Sequence, residues 1–313
     1  MVTEPRGLEP PHPVVTVGVP VRNGEEFLER ALRALQGQEL TDIEVLVADN
    51  ASTDDTRKIA EMVAAEDSRF RYLGADSNGG IPWNWNRLLA HARAPYFMWN
   101  SADDIVLPTH LSSCVRALES HPDATIAFSR VVLSDSDDKV VGSLDDEGID
   151  FLSLRPSARV GLFFERQVWQ VIGFGGVFRT ETLRGLGGLP DYWGGDFGLA
   201  VAMALRAPWV QVPEIGFIER RHVGQMTNLQ TSDPVAQTRV YRPRFGRSMA
   251  FPQWYLHGRV LAEAVRAPVP VLERARAISA VVRRWTIPGM RSLGYDIKRN
   301  LQRLADGRVG RAS

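Results

Sequence analysis

Along the first 130 residues, short apolar runs alternate with apolar positions at helical spacing. Val14–Val19 is an apolar run closed by Pro20 and reads as a buried strand. Over Glu25–Gln36, the positions Phe27, Leu28, Ala31, Leu32 and Leu35 share one helical face. Ile43–Ala48 is a second strand ending at Asp49, and Ser52 is placed to cap a helix running to Glu66. Phe70–Leu73 predicts a third strand, Pro82 to His91 a helix, and Pro95–Trp99 a fourth strand. Pro108–Ser120 predicts another helix and Thr125–Ser129 another strand. This alternation is the signature of an α/β fold with a mainly parallel sheet flanked by helices. Ligands of such sheets bind beyond the carboxyl ends of the strands. Asp49-Asn50 and Asp103-Asp104 both fall at strand ends.

The regularity stops after Arg130. Asp135–Gly148 is acidic and reads as a loop or hairpin tip. Beyond it come a helical stretch at Phe163–Trp169, a glycine-rich segment at Gly173–Gly176 and a helix beginning near Asp196. Apolar runs follow at Trp209–Val212 and Phe217–Ile218. Helices are expected at Tyr255–Val265, Val271–Trp285 and Leu293–Leu304. The pattern divides the chain into a flexible N-terminal segment 1–13, an α/β body 14–230 and a basic, mainly helical extension 231–313.

Composition changes this picture in three places. The 313 residues carry no net charge, yet 231–313 hold 16 Lys/Arg against 5 Asp/Glu, leaving the extension at +11 and the rest at −11. Such asymmetry points the extension toward a phospholipid surface, an acidic partner or the chain's own acidic body. No apolar run reaches the roughly 18 residues that span a bilayer. Met1–Pro13 lacks the pattern of an export signal, so a cytoplasmic protein is expected, with peripheral contact at the inner face of a membrane left open. The single cysteine, Cys114, shares a helical face with Leu111, Val115 and Leu118 and reads as core.

Four constellations carry chemistry. Asp103-Asp104 sets two carboxylates side by side, and a hard divalent cation relieves their repulsion; a helix cap is the plain alternative. Asp49-Asn50, before Ala51-Ser52-Thr53-Asp54, can bind a nucleoside or simply turn the chain into a helix. Asp196 follows Gly194-Gly195 at a helix start, as a general base or as a cap. Arg220-Arg221-His222 can serve a metal and a diphosphate or form a surface cluster. No phosphate-binding P-loop, dinucleotide-binding glycine fingerprint or hydrolase nucleophile elbow is present. Nothing points to nucleic acid.

Taken in order, Val15–Glu25, Val47–Thr56, Asn78-Gly79-Gly80 with Asn86, Ser101–Asp104 with Pro108, Asp196 and Arg221-His222 resemble family 2 glycosyltransferases, which have the GT-A fold. The resemblance covers residues 14 to 230 and makes that body a nucleotide-sugar-binding and catalytic domain. It implies that Pro20, Val21, Asn23 and Glu25 line the nucleotide and that Asp49 with Asn50 reads the base, most often uracil. Asn78 and Asn86 fall in its nucleotide-binding set. Asp103 contacts ribose or metal, and Asp104 and His222 complete a site for Mn²⁺ or Mg²⁺. Asp196 is the implied catalytic base of an inverting transfer from a nucleotide-sugar donor to an acceptor hydroxyl. Arg221 and Trp85 fall on the diphosphate or acceptor side. The chain departs from the family at Ser101 and Gly195, where acidic residues are usual, and at Trp85, where an arginine is common. Two alternatives stay open, a nucleotide-sugar-binding protein without activity and a sugar-1-phosphate nucleotidyltransferase. The acceptor is unnamed, and the extension is expected to dock on the body while contacting acceptor, membrane or a second copy in a homodimer.

Overall fold

A computed structural model describes residues 12–144, 148–166, 175–222 and 233–306. The expected N-terminal segment lies almost wholly outside the described residues, as do Trp169 and the first half of Gly173–Gly176. Nine strands are described: β1 Val15–Val21, β2 Ile43–Asp49, β3 Phe70–Leu73, β4 Tyr96–Trp99, β5 Ile105–Val106, β6 Ile126–Ser134, β7 Val140–Ser143, β8 Val177–Arg179 and β9 Trp209–Arg220. They form one sheet in the order β3-β2-β1-β4-β8-β6-β9-β5, with β7 paired to β6. β3, β2, β1 and β4 are mutually parallel, with Val15 facing Ile43 on one side and Tyr96 on the other. β8 runs antiparallel to β4 and β6, whereas β6 and β9 are parallel. The sheet is therefore mixed and mainly parallel, as its sequence pattern predicts.

Every residue of β1 and β2 is buried, which requires cover on both faces. Helices supply that cover. Leu28–Gln36 turns Leu28, Ala31, Leu32 and Leu35 inward, and His110–Ser120 buries Leu111, Cys114, Val115 and Leu118. Cys114 is thus a core residue, with its thiol pKa pushed up by burial.

The amino ends of β1 and β2 and the turn before β4 are clamped by one buried carboxylate. Glu44 accepts from Thr16 Oγ1 at 2.6 Å, from the Arg93 backbone N–H at 2.7 Å and from Arg93 Nε at 2.8 Å. Thr16 Oγ1 in turn accepts from the Ala94 N–H at 3.1 Å. Three segments distant in sequence are thereby held level at the end of the sheet opposite the strand-end carboxylates.

Some expected boundaries move. The second helix begins at Thr56, not at a Ser52 cap, because Ser52 donates its N–H and hydroxyl to Asp49 instead. The runs Trp209–Val212 and Phe217–Ile218 are one strand, β9, whose pairing with β6 shifts register around Arg130. Pro213 and Glu214 interrupt the apolar pattern there without ending the strand. The helix expected at Phe163–Trp169 occupies Pro156–Arg166. Strands β5 and β8 hold two and three residues, too few to leave a periodic signal. A helix at Pro234–Tyr241, capped by Asp233, has no apolar stripe to announce it.

The extension continues with helices Pro252–Arg266 and Val271–Val281, a π-helical turn Val282–Thr286, and helix Met290–Ala305. Leu256, Val260, Ala264, Ala277 and Val281 join the same hydrophobic core as the sheet. Trp285 stacks at 4.2 Å on Phe197, at 5.7 Å on Phe164 and at 5.0 Å on His257. The ring thus bonds the extension to helices Pro156–Arg166 and Gly195–Arg206.

Glu44→Ala leaves the Arg93 N–H and the Thr16 hydroxyl without their acceptor and is expected to destabilise the fold by about 2–3 kcal/mol. Urea unfolding followed by circular dichroism measures this. An unchanged midpoint counts against the clamp.

Candidate active site

The loops after β1 and β2 are sewn together. Asn23, at φ +54°, donates its N–H to Ser52 Oγ at 2.8 Å and accepts from the Thr53 N–H at 2.9 Å. Gly24 N–H donates to Thr56 Oγ1 at 2.8 Å. Glu25 N–H donates to Asp54 at 3.1 Å, while Asp55 N–H returns a bond to Glu25 at 2.9 Å. Asparagine tolerates the left-handed region because its short side chain bonds locally. Pro20 and Val21 end β1 as buried strand residues opposite Ala48 and Asp49, directly before this loop.

Asp49 is almost fully buried and accepts from the Ser52 N–H at 2.9 Å, from Ser52 Oγ at 2.5 Å and from the Tyr72 hydroxyl at 2.8 Å. Burial and that carboxylate push the Tyr72 pKa up to about 12. Asn50 donates to Asn78 Oδ1 at 2.9 Å and accepts from the Gly79 N–H at 2.9 Å, and Asn78 Oδ1 also accepts from the Gly80 N–H. These two amides therefore fix loop 78–80 against the end of β2. Asn86 pairs through both side-chain atoms with the backbone of Leu189, at 2.8 Å each. It thereby ties helix Ile81–His91 to the segment that leads to Asp196.

Beyond β4, Asp103 accepts from the Ser101 hydroxyl and faces His222 Nε2 at 2.9 Å. Asp104 is 3% exposed and accepts from the Arg220 N–H at 2.9 Å. Burial first, and then the charge of Asp103, raise its pKa well above the usual carboxylate range. Arg220 is buried, donates to the Asp103 carbonyl at 2.8 Å and pairs with Asp138 at the β6–β7 turn. Phe27 packs under both side chains, 4.7 Å from the Arg220 guanidinium and 4.6 Å from the His222 ring. Arg221 pairs with Glu219 at 3.0 Å, and burial raises the Glu219 pKa.

Among the described residues, no three His, Cys, Asp or Glu side chains converge as a closed metal site. Asp103 and His222 do bring an oxygen and a nitrogen donor together, with Asp104 and Glu219 close enough to interact with Asp103 electrostatically. An oxygen and a nitrogen donor with further carboxylates nearby suit Mg²⁺ or Mn²⁺, which take one or two protein carboxylates and complete their shell with phosphate oxygens.

Asp196 is the second residue of helix Gly195–Arg206, after Gly194 at φ +74°. It lines a small apolar cavity with Trp85, Trp99, Phe178, Leu189, Leu199, Ala200 and Met203, and burial raises its pKa. Trp85 stands 5.5 Å from Trp99, and its carbonyl accepts from Trp99 Nε1 at 3.1 Å. Trp83 is 44% exposed under the Arg87 guanidinium, so the two tryptophans do take different faces, and it is Trp85 that joins Asp196. Tyr241 is close enough for the Asp196 charge to act on its hydroxyl, whose pKa rises mainly through burial.

The loops after β1, β2 and β4 thus come together at one place: a side chain at Gly24 would stand 3.8 Å from Ala102, and Phe27 touches His222. Asp196 and Trp85 lie beside it, across Trp99 at the end of β4. Tyr72, Phe27, Arg220 as a structural bond and Tyr241 were not singled out in this role from the sequence. A tyrosine one residue before the end of β3 was the only available signal for Tyr72.

For Asp104 the raised pKa means that the folded state holds the proton more tightly than the unfolded chain. Stability therefore falls as pH rises toward and through that raised value. Asp104→Asn keeps an acceptor for the Arg220 N–H and removes the charge. Its Tm in EDTA at pH 7.5 is expected to equal or exceed that of the wild type, with a flatter dependence between pH 5 and 8. A lower Tm with unchanged pH dependence runs against this assignment.

The model of the family described as Glycosyl transferase family 2 matches residues 16–185. In sequence, the chain is 30% identical over 105 residues to the GalNAc(5)-diNAcBac-PP-undecaprenol beta-1,3-glucosyltransferase of Campylobacter jejuni, a stretch covering 33% of this chain and 34% of that protein. The chain spans about a third of the length of such curated relatives. In structure, it superposes on S. aureus TarS 1-349 in complex with UDP-GlcNAc with a TM-score of 0.64 at 15% identity, covering 86% of this chain and 72% of that one. The mannosyltransferase PcManGT of Pyrobaculum calidifontis, in complex with GDP-Man and Mn2+, matches with a TM-score of 0.50 at 18% identity, covering 97% and 91%. The GT-A-type architecture implied by the resemblance is the one these neighbours share.

Proposed function

This chain belongs to glycosyl transferase family 2, and from that premise we propose that it is an inverting, metal-dependent glycosyltransferase using a nucleotide-sugar donor, with UDP the first nucleotide to test. The observation that carries the reading is the pairing of Asp103 with His222 at the carboxyl ends of the parallel strands, with Asp196, its pKa raised by desolvation, in an apolar cavity across Trp99. The relatives' donors, UDP-GlcNAc in one and GDP-Man in the other, support a sugar nucleotide and leave its base open.

The nucleoside lies against the sewn loops 20–25 and 49–56. Asp49 and Asn50 sit at the base, Asn78 and Asn86 hold the walls of the site, and Asp103 reaches the ribose. Asp103 and His222, beside Asp104, would hold Mn²⁺ or Mg²⁺, which would supply positive charge for the diphosphate. Arg221 adds a guanidinium on the same side. Asp196 accepts the proton of the acceptor hydroxyl as that oxygen bonds to the anomeric carbon. The bond from that carbon to the diphosphate oxygen breaks, and its electron pair leaves with the nucleotide. Attack from the face opposite the leaving group inverts the centre, so an α-linked donor gives a β-linked product. Trp85 closes the acceptor side against water.

A base held in an apolar cavity has to lose its proton before it can work. The rate with donor and acceptor is expected to rise with pH through a value above the ordinary carboxylate range. Asp196→Asn should lower kcat by about 10²–10⁴-fold and abolish that limb, while calorimetric binding of the nucleoside diphosphate in Mn²⁺ stays within threefold. Asp103→Ala should instead remove metal-dependent binding. Nucleotide binding that EDTA leaves untouched contradicts the metal assignment, and failure of UDP, dTDP and GDP alike contradicts the donor site.

One observation favours a second reading. The Asp49 carboxylate already takes three hydrogen bonds from Ser52 and Tyr72, and Ser101 stands where a carboxylate is usual. A nucleotide-sugar-binding protein without transfer would show binding without turnover.

A further inference from the structure

The last helix of the extension is only half used by the fold. Leu293, Asp296 and Asn300 face inward, where Asp296 accepts from the Gln253 N–H at 2.8 Å and Asn300 donates to the Ala250 carbonyl at 2.7 Å. Met290, Ile297, Leu301 and Leu304 recur at seven, eleven and fourteen residues from the first. They form a second stripe that is apolar yet 45% to 62% exposed. At roughly 100° per residue this stripe lies between the inward face and an edge carrying Arg291 and Lys298. Among the described residues, neither of those cations forms an ion pair with a carboxylate. The helix's internal acid, Asp296, is buried on the opposite side of the stripe.

We infer that this stripe and its cationic edge form a docking surface for the anionic headgroup region of a lipid bilayer. An amphipathic helix with an apolar stripe beside basic residues seats in the interface, where the apolar side chains enter the acyl boundary and the basic heads stay at the phosphates. None of the described helices is long and apolar enough to cross a membrane, so the contact is made from one side. A second copy of the chain fits less well. The stripe is about 21 Å long from Met290 to Leu304 and one helix face wide. That is on the order of 200 Å², against the roughly 800 Å² per partner of a stable interface. Two copies related by a twofold axis would also bring like cations together.

The surface stands one helix away from the proposed catalytic base. Asp296 holds the first turn of Pro252–Arg266, and Leu256 of that helix is the residue a side chain at Gly194 would strike, at 2.8 Å. The inference itself rests on exposure and charge and does not require the transfer reaction.

Cosedimentation of the full chain with vesicles of phosphatidylcholine containing 30% phosphatidylglycerol tests it, against vesicles of phosphatidylcholine alone. Binding to the anionic vesicles, at least tenfold weaker on the neutral ones and in 0.5 M NaCl, is expected. The double variant Ile297→Glu, Leu301→Glu should lose binding at least tenfold, with its Tm within 2 °C and its UDP affinity unchanged. Arg291→Glu with Lys298→Glu should weaken it without touching the apolar stripe. No binding of the wild type to anionic vesicles overturns the inference. So does undiminished binding of both double variants, or a dimer in light scattering that Ile297→Glu, Leu301→Glu dissociates.

Discussion

Burial of the two central strands on both faces decides where this protein can keep polar groups. β1 and β2 expose no residue to solvent, so their sides offer no surface for chemistry. Functional groups are left to the strand ends, and the Glu44 clamp at the amino side holds those strands level. With β1, β2 and β4 in register, the loops that follow them emerge together. The hydrogen bonds between Asn23, Ser52, Thr53, Glu25 and Asp55 then need little chain to close. Side chains that bond to neighbouring loops in this way arrive at a ligand already ordered, which lowers the entropy lost on binding.

Charge at the end of β4 follows a different logic. Asp103, Asp104 and Glu219 crowd one another at the edge of a buried sheet, and the described structure offsets them only in part, through His222, Arg220 and Arg221. Burial is the first cause of the raised pKa values of Asp104 and Glu219, and the charge of Asp103 adds to both. A cation or a positively polarised ligand would relieve the repulsion among them. At Asp196 the cavity is apolar, and burial raises the pKa with no neighbouring carboxylate adding to it. Burial thus acts on all three carboxylates, and a neighbouring carboxylate adds to it only at Asp104 and Glu219.

The extension is not an appendage in the packing sense. Trp285, in a π-helical turn, is sandwiched by Phe197 and His257, and its neighbour Arg284 donates to the Gly161 carbonyl at 3.1 Å. Because Phe197 directly follows Asp196, packing of the extension bears on the first turn that carries the proposed base. Exposed apolar residues on Met290–Ala305 then sit on an element whose inner face is fully engaged, so their exposure is a property of the folded protein and not of a loose end.

The sequence by itself determined the parallel half of the sheet. Apolar runs such as Ile43–Asp49 and amphipathic stretches such as Leu28–Gln36 are local patterns that need no partner to be read. It also pointed to Asp49, Asp103, Asp104, Asp196 and His222, since strand ends and helix starts mark where polar groups gather. Tertiary structure alone decided that Ser52 serves Asp49 and not a helix, that Asn50 and Asn78 spend their amides on each other, and that Trp85 rather than Trp83 joins Asp196. It alone joined β6 to β9, supplied the three-residue β8 between β4 and β6, and placed Phe27 beneath Arg220 and His222. The division has a physical cause. Periodicity reports which face of an element is buried, whereas hydrogen-bond partners and pKa shifts depend on groups brought within a few ångströms from positions 30 to 120 residues apart.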